Sequence, residues 1–174
     1  MEIGNICAGF LIKSDMTNNT LISGYASVFG VIDNQNDIIE KGAFEAAIAA
    51  DVKLLWQHDS LKPIGVINSI YEDDYGLKMD AEINNNVSFG KEASELVKQK
   101  ALKGLSIGFS IKDFAYNDQG VRLIKKIDLM EVSIVTFPAN AKAGITYVKA
   151  LETKSNPLDR LEKLVQTLVS LKKA

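Results

Sequence analysis

The chain of 174 residues contains one histidine, His58, and one cysteine, Cys7. A single cysteine closes no internal disulfide, and one Cys with one His falls short of the four N/S ligands of a structural zinc site. No apolar run approaches the roughly 18–20 residues that span a bilayer, and the N-terminus lacks a basic region followed by an apolar stretch. The sequence therefore predicts a cytoplasmic protein with no membrane association. Strong charge of either sign is also missing: Lys+Arg 20 against Asp+Glu 22 gives a formal net charge of −2. That balance argues against a general phosphate-binding surface, so nucleic acid is not an expected partner.

Hydrophobic residues make up 47% of the chain, enough for one domain with a sizeable core. Short β-rich runs cover 20–29, 52–57, 63–71, 75–83, 104–111, 121–127 and 129–137, separated by turns rich in Asn, Asp and Gly. Two stretches break the rhythm with helix formers. One is 42–51. The other is 88–104, with Ser88 as a candidate cap, Gly104 as a stop, and Phe89, Ala93, Leu96 and Val97 on one face. Many strands with few helices predict an α+β, mainly β fold, a compact β-barrel or sandwich.

The C-terminal end differs from this body. From Lys149 onward six Lys/Arg face three Asp/Glu, whereas the remainder is net acidic. Residues 149–157 are polar and close on Asn156-Pro157, a turn pair. Leu158, Leu161, Leu164, Val165, Leu168, Val169 and Leu171 then recur at helical spacing. The expected organisation is a domain over 1–148, a polar linker over 149–157 and an amphipathic helix over 158–174. Such a helix must pack on its own body or on a partner.

Several familiar motifs fail. Asp33, Gln35 and Asp37 begin like a calcium loop, but Ile38 and Phe44 stand where the turn glycine and the bidentate acid belong, so a polar hairpin is the better reading. No phosphate-binding Gly-rich loop and no Gly-x-Ser-x-Gly elbow occurs. Cys7, in an apolar run, reads as a buried inert thiol. The residues left for chemistry sit on strands. His58 ends an apolar run, where a side chain can leave the core and face a cleft. On position alone a packing or surface histidine is the more ordinary reading, and the serines shift it. In 105–111 the strand period sends Leu105, Ile107, Phe109 and Ile111 to one face and Ser106, Gly108 and Ser110 to the other. The small face leaves space for a substrate backbone at the glycine, or is simply a solvent face. In 130–135 the acidic Glu131 shares a face with Ser133, against Met130, Val132 and Ile134.

At these residues the chain resembles the tailed-bacteriophage prohead proteases, capsid-maturation enzymes related to the herpesvirus assemblins. The resemblance runs from about Ile22 to Lys149 in five ordered pieces: Gly24 to Gly30; Asp37-Ile38-Ile39 with Gly42-Ala43-Phe44; Leu55 to Asp59 with Pro63-Ile64-Gly65; Gly104 to Phe109; and Glu131 to Asn140. It implies an assemblin-like barrel and a serine endopeptidase with Ser106 as nucleophile and His58 as base. In the assemblins the third member is a second histidine, which this chain lacks, and Glu131 is the natural stand-in. Asp59 is a poorer one, since adjacency in sequence does not aim a side chain at its neighbour's ring. No metal or cofactor is implied.

The resemblance further implies that capsid or scaffold protein is the substrate, that the enzyme acts as a homodimer inside the prohead in the host cytoplasm, and that it trims itself. The linker at 149–157 is then a candidate cut and the helix beyond it a releasable arm, or else part of the fold or dimer interface. Two other classes are set against this one: a non-catalytic assembly factor with a protease-like fold, and a metal-dependent hydrolase using Asp33, Asp37 and Glu40.

Overall fold

A computed structural model describes residues 19–45 and 51–151, together with Val165. Cys7, residues 46–50 of the helix expected over 42–51, and all of the expected C-terminal helix except Val165 lie outside the described residues. Among the described residues there are eight strands and one helix: β1 Thr20–Val28, β2 Asp37–Ile39, β3 Lys53–Trp56, β4 Asp59–Glu72, β5 Gly76–Ile83, α1 Ser88–Lys98, β6 Gly104–Tyr116, β7 Arg122–Val135 and β8 Gly144–Ala150.

The strands run β7-β3-β4-β5-β1-β8-β6, and β6 returns to pair with β7, so seven strands close into a barrel. The three residues of β2 add to β7 from outside, parallel to it. The expected mainly β barrel is the observed architecture. Its interior takes one face of each strand: Ile22, Leu54, Ile64, Met79, Leu105 and Ile134 are among the fully buried side chains. Burial of such a side chain contributes roughly 1.5–3 kcal/mol, and a one-residue slip would turn it outward. The apolar alternation therefore fixes the register of every strand, including the two that carry Ser106 and Glu131.

Strand β7 organises the barrel. Its first half pairs with β2, its second half runs parallel to β3, and β6 follows it along nearly its whole length. The sequence suggested two strands here, at 121–127 and 129–137. The structure has one, because Asp128 stays in the ladder opposite Ser110 and pairs with Lys112 at 2.6 Å. Strand β8 was not anticipated, and it runs through Lys149 and Ala150, where the polar linker was expected to begin. It lies so close to β1 that a Cβ at Gly24 would sit 2.3 Å from the carbonyl oxygen of Gly144.

The helix also differs from expectation. It is preceded by Val87, with no side-chain cap from Ser88, and it ends at Lys98 followed by Gln99. Lys100, with φ of 61°, turns the chain before Gly104, which opens β6. Gly90, Ala93, Ser94 and Val97 face the barrel, while Phe89 is exposed. Around the expected helix at 42–51, residues 41–45 form turns held by Glu72, whose carboxylate accepts the backbone N–H groups of Gly42 and Phe44.

Candidate active site

Strand register brings the candidate residues together. In the antiparallel β6–β7 ladder Ser106 lies opposite Ser133 and Gly108 opposite Glu131. Their neighbours Leu105, Val132 and Ile134 point into the core, so these four residues share the outer face of the barrel. Three of them are nonetheless covered: Ser106 is 5% exposed, Glu131 9% and Ser133 0%.

His58 arrives from the other side of β7. Strand β3 runs parallel to β7 with Leu55 beside Ser133, and Trp56 pairs with Asp59, leaving Gln57 and His58 as a two-residue hairpin turn. Both have positive φ, 53° and 60°, the geometry that suits the twist of a tight hairpin but is uncommon for residues other than glycine. The turn is held against β7. The N–H of Gln57 donates to the carbonyl of Ile134 (3.0 Å), and the Gln57 amide donates to Thr136 Oγ1 (2.9 Å) and accepts the Thr136 N–H (3.2 Å).

This turn delivers the imidazole to the acid. His58 Nδ1 lies 2.6 Å from Glu131 Oε1, and Ser133 Oγ donates to Glu131 Oε2 at 2.7 Å while accepting the His58 backbone N–H at 3.0 Å. A carboxylate facing Nδ1 favours the tautomer protonated there and leaves Nε2 as the basic nitrogen. The His58 side chain is 44% exposed against 11% for Glu131, so the acid is buried beneath a ring that still reaches solvent.

His58 and Ser106 line one cleft of about 520 Å³, with Ser27, Ile107, Gly108, Phe109, Phe137 and Asn140 among its other walls. No hydrogen bond joins His58 to Ser106 among the described contacts; such bonds often tighten only when substrate binds. Two readings of this face are corrected. The space above Gly108 holds the Glu131 carboxylate, not a substrate backbone: a Cβ there would lie 2.3 Å from Oε1. Ile107, Phe109 and Ile111 are half-buried, touching the core cluster while also lining the cleft, and β6 shifts register against β7 between Gly108 and Phe109.

Other acids have different work. Asp59 binds Lys62 Nζ (2.8 Å) and the Leu61 N–H, and the Lys62 contact leads in lowering its pKa. Asp37, 2% exposed, forms a two-pronged pair with Arg122, Oδ1 to Nε at 2.8 Å and Oδ2 to Nη2 at 2.6 Å, which raises the pKa of Arg122. Asp33 Oδ1 accepts the N–H groups of Gln35 and Asp37, closing a turn that leads into β2. The expected hairpin is absent there, since β2 pairs with β7 instead. With Asp37 locked to a guanidinium, the trio Asp33, Asp37 and Glu40 does not form a converging ligand set. The Ser133 contacts and the Gln57–Thr136 clasp were not read from the sequence. A serine two residues from an acid on the same strand face was the available signal.

The strand architecture has counterparts. Among solved structures, the KSHV protease in complex with a hexapeptide phosphonate inhibitor superposes with a TM-score of 0.53 at 10% identity, over 76% of this chain and 65% of that one. The bacteriophage T4 capsid assembly protease does so with a TM-score of 0.50 at 11% identity, over 66% and 82%. These two likenesses concern the fold. In sequence, the chain is 34% identical to the prohead protease of Enterobacteria phage HK97 over 139 residues, 76% of this chain and 61% of that protein. It is 33% identical to the capsid polyprotein of Pseudomonas phage PAJU2 over 150 residues, 81% of this chain and 22% of that protein. The chain thus spans about three fifths of the HK97 protein and a smaller part of the polyprotein. The model of the caudovirus prohead serine protease family matches residues 10–157, and with most of its length inside that match, the chain belongs to this family.

Proposed function

We propose that this chain is a serine endopeptidase of capsid maturation, with Ser106 as nucleophile, His58 as general base and Glu131 as the acid that orients His58. The observation that carries this reading is the 2.6 Å contact from Glu131 to His58 Nδ1, in a cleft that the same histidine shares with Ser106. A serine hydroxyl is a weak nucleophile at neutral pH, so His58 Nε2 takes its proton as Oγ attacks the scissile carbonyl, then gives it to the leaving amine. Glu131 keeps the proton on Nδ1 and stabilises the imidazolium that forms between these steps. Water repeats the sequence on the acyl-enzyme.

The substrate is an extended segment of capsid or scaffold protein. Among the described residues strand β6 pairs with β8 only at Gly104, so beyond that residue its second edge pairs with no described strand beside the cleft, and an added strand can use it. The peptide-like inhibitor of the KSHV protease and the capsid polyprotein context of the PAJU2 relative are consistent with such a substrate. The enzyme acts inside the assembling prohead in the host cell, as a homodimer, and cuts its own chain within 149–157. Dimer dependence makes specific activity fall on dilution.

The test is co-expression with the capsid protein of the same phage, followed by intact-mass analysis. The wild type is expected to trim capsid or scaffold protein, and Ser106→Ala and His58→Ala to leave it whole. Unchanged processing by Ser106→Ala would overturn the serine-protease reading in favour of another hydrolase, and no processing by wild type would favour a non-catalytic assembly factor.

A further inference from the structure

One hydroxyl in the site touches two of the three residues just assigned. Ser133 is fully buried on β7, its Cα opposite Ser106 on one side and Leu55 on the other. Its Oγ donates to Glu131 Oε2 at 2.7 Å and accepts the backbone N–H of His58 at 3.0 Å. The two oxygens of Glu131 are thereby divided, Oε1 facing the imidazole and Oε2 the serine, so the plane of the carboxylate is fixed at two points.

The backbone end of this link matters as much. Gln57 and His58 both adopt left-handed geometry, which non-glycine residues hold only where their surroundings over-determine it. Four hydrogen bonds to β7 and the residue that follows it do so: the Gln57 N–H to Ile134, the Gln57 amide donating to and accepting from Thr136, and the His58 N–H to Ser133. Only the Ser133 contact is shared with the acid. A rotation of the turn backbone and a tilt of the carboxylate are therefore coupled through the Ser133 oxygen, in addition to the direct contact of the imidazole with Oε1. We propose that Ser133 is a positioning residue whose hydroxyl sets the His58–Glu131 alignment. This rests on the triad reading above.

The chain's only histidine makes the test direct, because the imidazole N–H signal in a 15N-histidine spectrum belongs to His58. Wild type, Ser133→Ala, Ser133→Thr, Glu131→Gln and Ser106→Ala are compared by that signal, by thermal unfolding, and by the inactivation kinetics of a fluorophosphonate probe. Ser133→Ala is expected to lower the maximal inactivation rate about 10–100-fold, as small misplacements of catalytic groups do, with the probe's half-saturating concentration unchanged. The Nδ1–H signal is expected to shift or broaden, and Ser133→Thr, which keeps a hydroxyl, to recover both. Should Ser133→Ala fail to fold, Ser133→Cys, with its weaker donor, is read in its place and is expected to show the same direction. Wild-type inactivation and an unmoved His58 signal in the variant that folds would overturn the proposal. So would slower inactivation that tracks lost folded protein while the signal stays put. If Glu131→Gln and Ser106→Ala also react at the wild-type rate, the triad reading fails; if both lose reactivity while Ser133→Ala keeps it, only the positioning role fails.

Discussion

Gly108 lies directly opposite Glu131 in the β6–β7 ladder, and the Glu131 carboxylate occupies the place where a side chain at 108 would begin, with Oε1 2.3 Å from an ideal Cβ. The same oxygen faces His58 Nδ1. Glycine at this position makes room for an internal acid, whose carboxylate lies against β6 and meets the imidazole that the hairpin turn brings from the other side of β7.

Gly108→Ala therefore tests the site without removing any of its functional groups. The added methyl is expected to push the carboxylate off His58 and to cut the rate of Ser106 modification by about 100-fold, the scale of a misplacement near 1 Å. A rate within a factor of three of wild type would mean that Glu131 does not need its observed position.

The Asp37–Arg122 pair joins β2 to β7 at directly paired residues, with Asp37 buried and the Arg122 side chain 31% exposed. Removing either partner is expected to have unequal cost. Arg122→Ala leaves a buried carboxylate without its cation and is expected to cost about 3 kcal/mol. Asp37→Ala leaves a guanidinium that already reaches water and is expected to cost less. Urea unfolding of the two variants checks the order; equal losses would show that the pair's charge asymmetry is irrelevant to stability.

Asp80 accepts the hydroxyls of Ser23 and of Ser69, the latter at 2.7 Å, and the Ser23 bond, then the Ser69 bond, lower its pKa. Both bonds favour the ionised form in the folded state, so its contribution is present above the ordinary aspartate value of about 3.9 and is lost as pH falls through the lower folded value. The stability gap between wild type and Asp80→Asn is expected to be constant near neutrality and to shrink below about pH 4. A gap that widens on acidification would contradict this assignment.

The strands that frame the site were legible because their apolar alternation is strict: Leu105 and Ile107 against Ser106 and Gly108, Val132 and Ile134 against Glu131 and Ser133. Alternation settles which residues share a face, and the core enforces it. The pairing of those faces was not legible, because Ser106 meets Ser133 across 27 residues of chain through a register no local pattern encodes. The left-handed turn was hidden for a different reason. Gln57 and His58 carry none of the Gly or Asn signals of such hairpins and are held there by contacts to β7. Asp128 misled in the opposite direction, since a charged residue inside a strand pattern reads as a break until its cross-strand partner Lys112 is known.

The family resemblance supplied His58 and Ser106 and left Glu131 as the stand-in for a third member, and the fold brings Glu131 to His58 and opens one cleft to His58 and Ser106. Gly108 had been read as room for substrate. It is room for the acid, a role that appears only once the strand opposite is in place.

The most direct measurement is peptide mapping of the covalent adduct formed by a fluorophosphonate probe on the full-length protein. One adduct on Ser106 is expected in the wild type, with none in His58→Ala and slow formation in Glu131→Gln. An adduct on another residue, or modification of Ser106 at an undiminished rate in His58→Ala, would contradict the proposed triad.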